Sequence, residues 1–377
     1  MIKPLEGMKV VELAHMMAGP TAGLLLSDMG ADVIKLEKPK GGDDTRKLIP
    51  PAINGEPASF MILNRGKRGV ALDIKSPQGK SVLLKILSEA DVVLENFRPG
   101  TMDKLGLGWD VLKVLNPKLI YCQITGFGNT GPYANRAGLD LIAQAMSGLM
   151  SVTGEGVGRP PVKAGVPIAD ITAGILAANG ILAAYIKQLK TGKGDYVDTS
   201  LLEASIIHTY WASAISFATE KFSVPMGSAH HLAAPYQALQ TKDGWITIGC
   251  STQALWLRLL DVLKEDELSK DSRFIDMLQD QNFLSWVSGF ILRILKDVDN
   301  KENREKVTKN LLRNYTLMWL DRSVMPEFVI TNCDGEVSRG IEIPRKSITI
   351  DRVKILEGTS WATTPSVPKA FDPFANF

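Results

Sequence analysis

The feature that most constrains the fold is the alternation of short apolar segments with helical segments in the N-terminal third of the chain. The apolar segments are typical of buried strands and lie at residues 9–13, 32–37, 70–74, 91–97 and 119–128. Helical patterns separate them, and Ser76–Pro77 is a favourable N-cap and first-turn pair for one of these helices. Repeated β-α-β units with apolar strands predict a parallel sheet covered on both faces. Ligands of such sheets bind beyond the carboxyl ends of the strands.

The remainder of the chain has a helical pattern followed by a mixed one. Residues 170–222 are rich in Ala and Gly, which permit close helix packing, and we predict them to be helical, with a helix stop at Gly192. Residues 236–250 predict a β-hairpin that turns near Asp243–Gly244. Helical patterns follow at 253–264 and 304–314, and the last fifty residues are irregular.

Composition argues against several functional classes. The net charge is +2 and no block of Lys and Arg occurs, so we expect no nucleic-acid partner. The three cysteines form no CxxC pair, which fits a reducing compartment, and the first residues show no signal-peptide pattern, so we expect a cytoplasmic protein. The apolar run after Asp170 is shorter than the roughly 20 residues of a membrane span, which indicates a core helix. No GxGxxG follows the first strand, which argues against an NAD enzyme.

One carboxylate, Asp170, stands in the otherwise apolar stretch "GVPIADITAG". Its position predicts the N-cap of a helix that begins at Ile171, and position alone favours that structural role. An aspartate at a helix N-terminus is also stabilised as the anion, so we expect Asp170 to be ionised at neutral pH. An ionised carboxylate can act as a nucleophile, and the two roles are compatible.

Other titratable residues have weaker patterns. We expect His15 and His208 to be packed structural side chains, and His230–His231 have no partner pattern that would indicate a metal site. Glu12 and Asp140 are carboxylates without visible partners in the sequence.

The basic stretch "NRGKRG" at 64–69, together with Lys75, has two interpretations that the sequence leaves open. It is either a solvated turn or a phosphate site, since Arg and Lys both bind phosphate.

Several long motifs resemble the class III CoA-transferases, the family of formyl-CoA and carnitine CoA-transferases. Among them are "VVELAHMMAGPTAGLLLSDMGADVIKLEKPKGGDDTR", "DVVLENFRPGTMDKLGLGW" and "GVPIADITAGILAANGILAAYIKQLKTGKGDYVDTSLLEA". The resemblance runs in register over about residues 5–262. It implies an α/β fold in which a Rossmann-like large domain with a parallel sheet joins a smaller α+β domain, within an interlocked homodimer.

The resemblance also implies a domain organisation. It places a large CoA-binding domain at 1–195, a helical linker at 196–230, a small domain at 231–325 and a C-terminal segment at 326–377 that returns to the large domain.

The function implied by the resemblance is acyl-CoA:carboxylate CoA-transfer, with Asp170 as the nucleophile that forms an aspartyl-CoA thioester. The substrates are an acyl-CoA donor and a carboxylic acid acceptor, with no permanently bound cofactor and no metal. The family's CoA contacts carry over to Met17, Ala18, Lys38, Leu72, Asp73, Lys75, Asn96, Phe97, Arg98 and Lys104.

Two alternatives stay open: a 2-methylacyl-CoA racemase-like isomerase and a non-catalytic acyl-CoA-binding homologue. A racemase needs a second acid/base group, and Leu139 stands where those relatives carry histidine; leucine cannot transfer a proton. Met17 replaces a glutamine that is frequent in formyl-CoA enzymes, which argues against a formyl or oxalate preference. Beyond about Phe274 the resemblance fades, which motivates the non-catalytic alternative.

Overall fold

The computed structural model describes residues 2–231, 235–241, 243–270 and 316–317. The strands are β1 (Lys9–Glu12), β2 (Asp32–Glu37), β3 (Ala52–Ile53), β4 (Glu56–Pro57), β5 (Arg68–Ala71), β6 (Val92–Glu95), β7 (Ile120–Thr125), β8 (Tyr196–Ser200), β9 (Tyr236–Gln240), β10 (Trp245–Cys250) and β11 (Thr316–Leu317). The α-helices are α1 (Ala18–Asp28), α2 (Ala58–Asn64), α3 (Pro77–Leu87), α4 (Thr101–Lys104), α5 (Trp109–Leu115), α6 (Asp140–Met146), α7 (Leu149–Val152), α8 (Ile168–Thr191), α9 (Leu201–Ile207), α10 (Tyr210–Thr219), α11 (Gln253–Leu263) and α12 (Asp266–Lys270). A 3₁₀ helix covers Asp44–Lys47.

Six strands form one parallel sheet in the order β5-β2-β1-β6-β7-β8. Parallel neighbours need crossover connections, and helices such as α1, α3 and α8 supply them. The mixed α/β class and the parallel sheet predicted from the alternating pattern are therefore confirmed.

Both faces of this sheet are buried. Val10 and Leu94 pack with α1 and α8 on one face, whereas Val11 and Val93 pack with α3 and α5 on the other. Every residue of β6 and β7 is buried, which explains why these strands are mostly apolar rather than alternating.

The predicted helix stop at Gly192 is confirmed, but the helical prediction for 170–222 misses strand β8, which follows it. The helix ends at Gly192, which adopts a left-handed conformation, and the chain then enters the sheet beside β7. Aromatic and β-branched residues, such as Tyr196, Val197 and Thr199, favour a strand, and the Ala-rich sequence before them masks this change of pattern.

Three local expectations are confirmed, and one strand is displaced. The Ser76 hydroxyl accepts a hydrogen bond from the Gly79 N–H at the start of α3, with Pro77 in the first turn. β9 and β10 form the predicted antiparallel hairpin. The segment 253–264 forms α11. The third strand begins at Arg68 and ends at Ala71, earlier than expected, because it pairs with β2 from Ile34 onward.

Helix α8 packs in the core of the large sheet. Among the described residues it is the one helix whose length and hydropathy would suit a membrane span, and it contacts α1, α9 and the large sheet. A Cβ at Gly174 would lie 2.6 Å from the Ala18 carbonyl oxygen, so only glycine permits this approach of α8 to α1.

The described residues belong to two compact units. The first, 2–150 with 163–210, contains the six-stranded sheet. The second, 151–162 with 211–270 and 316–317, contains the three-stranded sheet β11-β10-β9. The predicted domain boundaries at 195, 230 and 325 stay predictions. The predicted helix at 304–314 and the C-terminal segment 326–377 lie outside the described residues.

A buried charge cluster joins the carboxyl ends of β1 and β2. Glu12 and Lys35 are cross-strand partners, and Lys35 Nζ lies 2.9 Å from one Glu12 carboxylate oxygen and 2.8 Å from Asp43 Oδ2. Lys67 Nζ lies 2.8 Å from the other Glu12 oxygen. Burial acts to lower the pKa of Lys35, but Glu12 and Asp43 outweigh it and hold that pKa above its usual value.

Replacing Glu12 should be strongly destabilising because it leaves two buried ammonium groups without their shared carboxylate. We expect Glu12→Gln to lower the free energy of unfolding by about 3–5 kcal/mol. Urea denaturation followed by circular dichroism measures this change. The matched control is Glu89→Gln, which removes an exposed glutamate paired with Lys9 and should change stability by less than about 0.5 kcal/mol. Equal stability losses in the two variants would contradict the assignment.

Candidate active site

The predicted CoA contacts lie at one edge of the large sheet. They follow the carboxyl ends of β1, β2, β5 and β6, which are adjacent parallel strands. Topology therefore brings together residues that are far apart in sequence, as expected for a ligand site in a parallel sheet. The helices α1 and α8 are crossovers between parallel strands, so their N-termini lie at this same edge.

The loop between β1 and α1 is held by side chains from other parts of the sheet. The Asn96 side chain accepts a hydrogen bond from the His15 N–H (2.9 Å) and donates one to the His15 carbonyl (2.8 Å). Met16 has a positive φ of 64° and its N–H donates to Asp43 Oδ1 (3.3 Å). A non-glycine residue in this conformation is strained, and such strain concentrates at functional sites. The loop that carries Met17 is thus fixed before any ligand binds.

The predicted contact Asn96 therefore has a structural role in addition to any contact with CoA. Its neighbour Phe97 packs its ring edge against His15, with 5.0 Å between the ring centroids. The Phe97 N–H donates to Glu95 Oε2 (2.7 Å), and the Tyr121 hydroxyl donates to Glu95 Oε1 (3.1 Å). Burial raises the pKa of Glu95 to about 8. Glu95 thus holds the segment that begins with Asn96 in place.

The other predicted CoA residues differ in exposure. Ala18 is buried at the start of α1, and the Met17 carbonyl accepts the Thr21 N–H (2.8 Å). Lys38 pairs with Asp44 at 3.2 Å.

The remaining predicted contacts follow β5 and β6. Leu72 is half-buried and packs against the core on the α3 side. The exposed residues are Asp73, Lys75, Arg98 and Lys104.

The interpretation of 64–69 as a phosphate site is not supported by the structure. Arg65 pairs with Asp28, and Arg68 pairs with Asp32. Lys67 is buried against Glu12. These cations are neutralised by carboxylates, so the stretch stabilises the fold.

The prediction that Asp170 is the N-cap of α8 is wrong. The helix begins at Ile168, Pro167 occupies the N-cap, and Asp170 lies in the first turn. The capping carboxylate comes from Asp140 at the start of α6, whose Oδ1 accepts the Ala169 N–H at 2.8 Å. Asp170 is therefore not needed as a cap, which removes the structural explanation that position alone had favoured.

The Asp170 carboxyl is half-buried and has an unusual acidity. Burial, assisted by the negative charge of Asp140, raises the pKa of Asp170 to about 7. Desolvation thus acts against the ionised form that is expected for an aspartate at a helix N-terminus, and leaves the carboxyl partly ionised at neutral pH. A carboxyl with a pKa near 7 at a ligand-binding edge is a candidate functional group.

The starts of α1 and α8 lie close together. Gly174, one turn after Asp170 on the same helix face, contacts Ala18 and Thr21 in the first turn of α1. The two helices therefore approach each other near their N-terminal ends.

The histidines have different environments. Burial lowers the pKa of His15, so this ring is neutral at neutral pH, in line with a packed side chain. His208 ends α9, and its Nε2 lies 2.7 Å from Thr172 Oγ1 on α8. Among the described residues no group of three or more His, Cys, Asp or Glu side chains is arranged to hold a metal ion.

Sequence reasoning missed three residues that shape the site: Asp43, Glu95 and Gln144. Gln144 follows Asp140 by four residues, a spacing at which helix side chains meet, and this was a usable signal. Asp43 and Glu95 each have one local partner, Thr45 and Phe97. Their other partners, Lys35, Met16 and Tyr121, come from distant segments that no local pattern indicates.

The protein is thus an α/β protein with a six-stranded parallel sheet and a half-buried carboxyl, Asp170, in the first turn of α8. Residues 5–313 match the family model for CoA-transferase family III. The chain belongs to this family and is a CoA-transferase. The match reaches beyond residue 262, where the sequence motifs end, so the similarity continues farther than the motifs predict.

Relatives and solved structures agree with this assignment. The chain is 43% identical over 277 residues to the succinate–glutarate CoA-transferase of Agrobacterium fabrum, a match that covers 72% of this chain and 69% of the relative. It is 38% identical over 301 residues to the succinyl-CoA:glutarate CoA-transferase of Mus musculus, covering 80% and 69%. A CAIB/BAIF family protein from Brucella suis is 39% identical with a TM-score of 0.71, covering 82% of each chain.

The acidity of Asp170 predicts a pH dependence if this residue attacks the acyl-CoA. Only the anion is nucleophilic, so kcat/KM should rise about tenfold per pH unit up to a pKa near 7 and then level off. Initial rates measured between pH 5 and 9 at low acyl-CoA concentration test this. A kcat/KM that stays level down to pH 5 would show that no group with this pKa controls the reaction.

Proposed function

We propose that the chain transfers CoA from an acyl-CoA to a free carboxylate through an aspartyl-CoA thioester on Asp170. The observation that carries the proposal is the position of this carboxyl. It lies in the first turn of α8 at the ligand-binding edge, and another residue performs the capping that would otherwise explain it.

The first half-reaction loads CoA onto the protein. An Asp170 carboxylate oxygen attacks the thioester carbonyl carbon, the C–S bond breaks, and CoA leaves as the thiolate. The product is a mixed anhydride between Asp170 and the acyl group. The thiolate then attacks the Asp170 carbonyl carbon, which releases the donor acid as its carboxylate and leaves the aspartyl-CoA thioester.

The second half-reaction reverses these steps with the acceptor. The acceptor carboxylate attacks the aspartyl-CoA carbonyl and expels the thiolate, giving a second mixed anhydride. The thiolate then attacks the acceptor's carbonyl carbon, which forms the new acyl-CoA and restores Asp170. Covalent catalysis of this kind divides one difficult transfer into easier steps.

The residues at the edge of the sheet suit the CoA portion of the substrate. The exposed cations Lys75, Arg98 and Lys104 can form charge-assisted contacts with its phosphates, and Lys38 can join them by exchanging its bond to Asp44. The adenine end would lie along Leu72–Asp73 and beside Phe97. The loop from Met17 to Ala18, fixed by Asn96 and Asp43, would contact the part of CoA nearest the thioester.

Short dicarboxylic acids are the substrate class that we propose. The relatives named above act, by their names, on succinate and glutarate. Another relative, from Acetobacter aceti, is an acetyl-CoA:oxalate CoA-transferase. Donor and acceptor would then be succinyl-CoA and a second dicarboxylate.

We also propose that the chain acts as a homodimer. The sheet-bearing unit exposes large apolar side chains on α8, namely Ile175, Ile186 and Leu189, and further ones at Ile207 and Tyr210. Apolar side chains that cluster on a protein surface are typical of a protein–protein interface. A cytoplasmic location is a further proposal, supported by the buried free thiols of Cys122 and Cys250, which fit a reducing compartment.

Replacing Asp170 by asparagine tests the nucleophile. An amide is a very poor nucleophile, so we expect Asp170→Asn to lower turnover of succinyl-CoA with glutarate by a factor on the order of 10³ or more. Stability at pH 8 should not fall. The raised pKa of Asp170 means that the folded protein loses stability as pH rises above the unfolded pKa of this carboxyl, and asparagine avoids that loss.

The matched control is Asp110→Asn, which changes an exposed aspartate in the first turn of α5. This variant should keep full turnover. Near-normal turnover in Asp170→Asn would show that another group carries the reaction.

A further inference from the structure

The start of α8 is capped from a different helix. The first N–H groups of a helix have no partner within it, and here the Pro167 N-cap supplies no side-chain acceptor. Asp140 Oδ1 accepts the Ala169 N–H at 2.8 Å and lies 3.4 Å from the Asp170 backbone nitrogen. The carboxylate of Asp140 therefore bonds to the main chain of the residue that we identify as the nucleophile.

The Asp140 carboxylate is itself held in one orientation. Gln144, one turn later on α6, donates from Nε2 to Asp140 Oδ2 at 2.7 Å. The side-chain oxygen of Gln144, Oε1, accepts the Ala164 N–H at 2.9 Å, and this glutamine is fully buried. One buried amide thus fixes Asp140 and the chain segment that leads into α8.

We propose that Asp140 is a positioning residue for the CoA-transfer reaction, which fixes the first turn of α8 and keeps a second negative charge beside the Asp170 carboxyl. The inference rests on the proposed function of Asp170 as the nucleophile. It assigns to Asp140 and Gln144 a role that acts through Asp170 and requires no contact with substrate.

Two neighbouring carboxyl groups resist being ionised together, so the charge on Asp140 favours the protonated form of Asp170. A carboxylate of higher pKa is also more basic, and basicity increases nucleophilic strength once the proton has left. Asp140 thus makes the nucleophile stronger while moving its ionisation toward neutral pH.

The elements packed against α8 carry other charged groups. From α9, His208 bonds to Thr172, and Glu203 bonds to Ser200. The one charged residue of α1 is Asp28, in its last turn, where it pairs with Arg65.

The remaining charged groups near α8 lie before it and on the sheet. Lys163 precedes the helix and donates to the Ala164 carbonyl, while β8 carries Asp198. Among the described residues, the one whose charge acts on the Asp170 pKa is Asp140.

The test compares pH profiles of kcat/KM for succinyl-CoA in the wild type and two variants. Asp140→Asn removes the charge but keeps an oxygen for the Ala169 N–H; its amide then faces the Gln144 amide group. In the double variant Asp140→Asn with Gln144→Glu, the side-chain amide at position 140 can donate to the carboxylate at position 144. This restores the bond between the two side chains and moves the negative charge one turn along α6.

We expect the acid limb of the profile to move down by about one pH unit in Asp140→Asn, because the neighbouring negative charge is lost. Relative to its own plateau, the variant should be several-fold more active than the wild type at pH 5.5. The plateau value of kcat/KM should fall in the single variant and recover in the double variant. The acid limb of the double variant should lie at lower pH than that of the wild type. Asp195→Asn is the control, since it removes a carboxylate that pairs with Lys187 near the other end of α8, and its acid limb should not move.

A purely structural cap predicts an equal loss of activity at every pH, and an unshifted acid limb in a folded Asp140→Asn variant would overturn the inference. If the single variant does not fold, an unshifted acid limb in the double variant would overturn the inference. A wild-type acid limb at the ordinary pKa of aspartate would also overturn it. Failure of the proposed function can be told apart from failure of this inference, because only in the former case would Asp170→Asn keep its turnover.

Discussion

The ion pairs of the buried Lys35 ammonium group are the interactions on which the β1–α1 side of the candidate site depends. This ammonium group joins Glu12 on the adjacent strand to Asp43 in the following loop, and it also donates to the Ala14 carbonyl at 2.8 Å. Asp43 also accepts the N–H of Met16, so the conformation of the β1–α1 loop is linked to the pairing of β1 with β2. Buried ion pairs seldom add much net stability, but losing one partner is costly, so such a cluster strongly disfavours alternative loop arrangements.

The candidate site is built from two loops and one helix start, and each is fixed by a side chain that bonds to its main chain. Asn96 holds both main-chain groups of His15, Glu95 holds the N–H of Phe97, and Asp140 holds the first turn of α8. A CoA ester would then meet a preorganised surface. Preorganisation reduces the ordering that binding must impose, and it allows the protein to hold the thioester and the Asp170 carboxyl in reactive geometry.

The sequence predicts most strands of the sheet because they are largely buried and therefore mostly apolar, as at β6. It predicts the start of α3 because the Ser76 cap is local. It fails at β8, where an Ala-rich helix runs into a short strand with only Gly192 to mark the change. It also misplaces the start of α8, because the cap of that helix comes from Asp140, thirty residues earlier in the chain. The acidity of Asp170 depends on burial and on this same distant carboxylate, so neither could follow from local pattern.

Trapping the covalent intermediate tests the central claim most directly. The protein is mixed with succinyl-CoA without an acceptor acid, treated with hydroxylamine, digested and mapped by mass spectrometry. Hydroxylamine converts an aspartyl thioester or anhydride into a hydroxamate. The account predicts a hydroxamate on the peptide that contains Asp170, dependent on succinyl-CoA. A hydroxamate on Asp140 or Glu12, or none on any carboxylate, would contradict it.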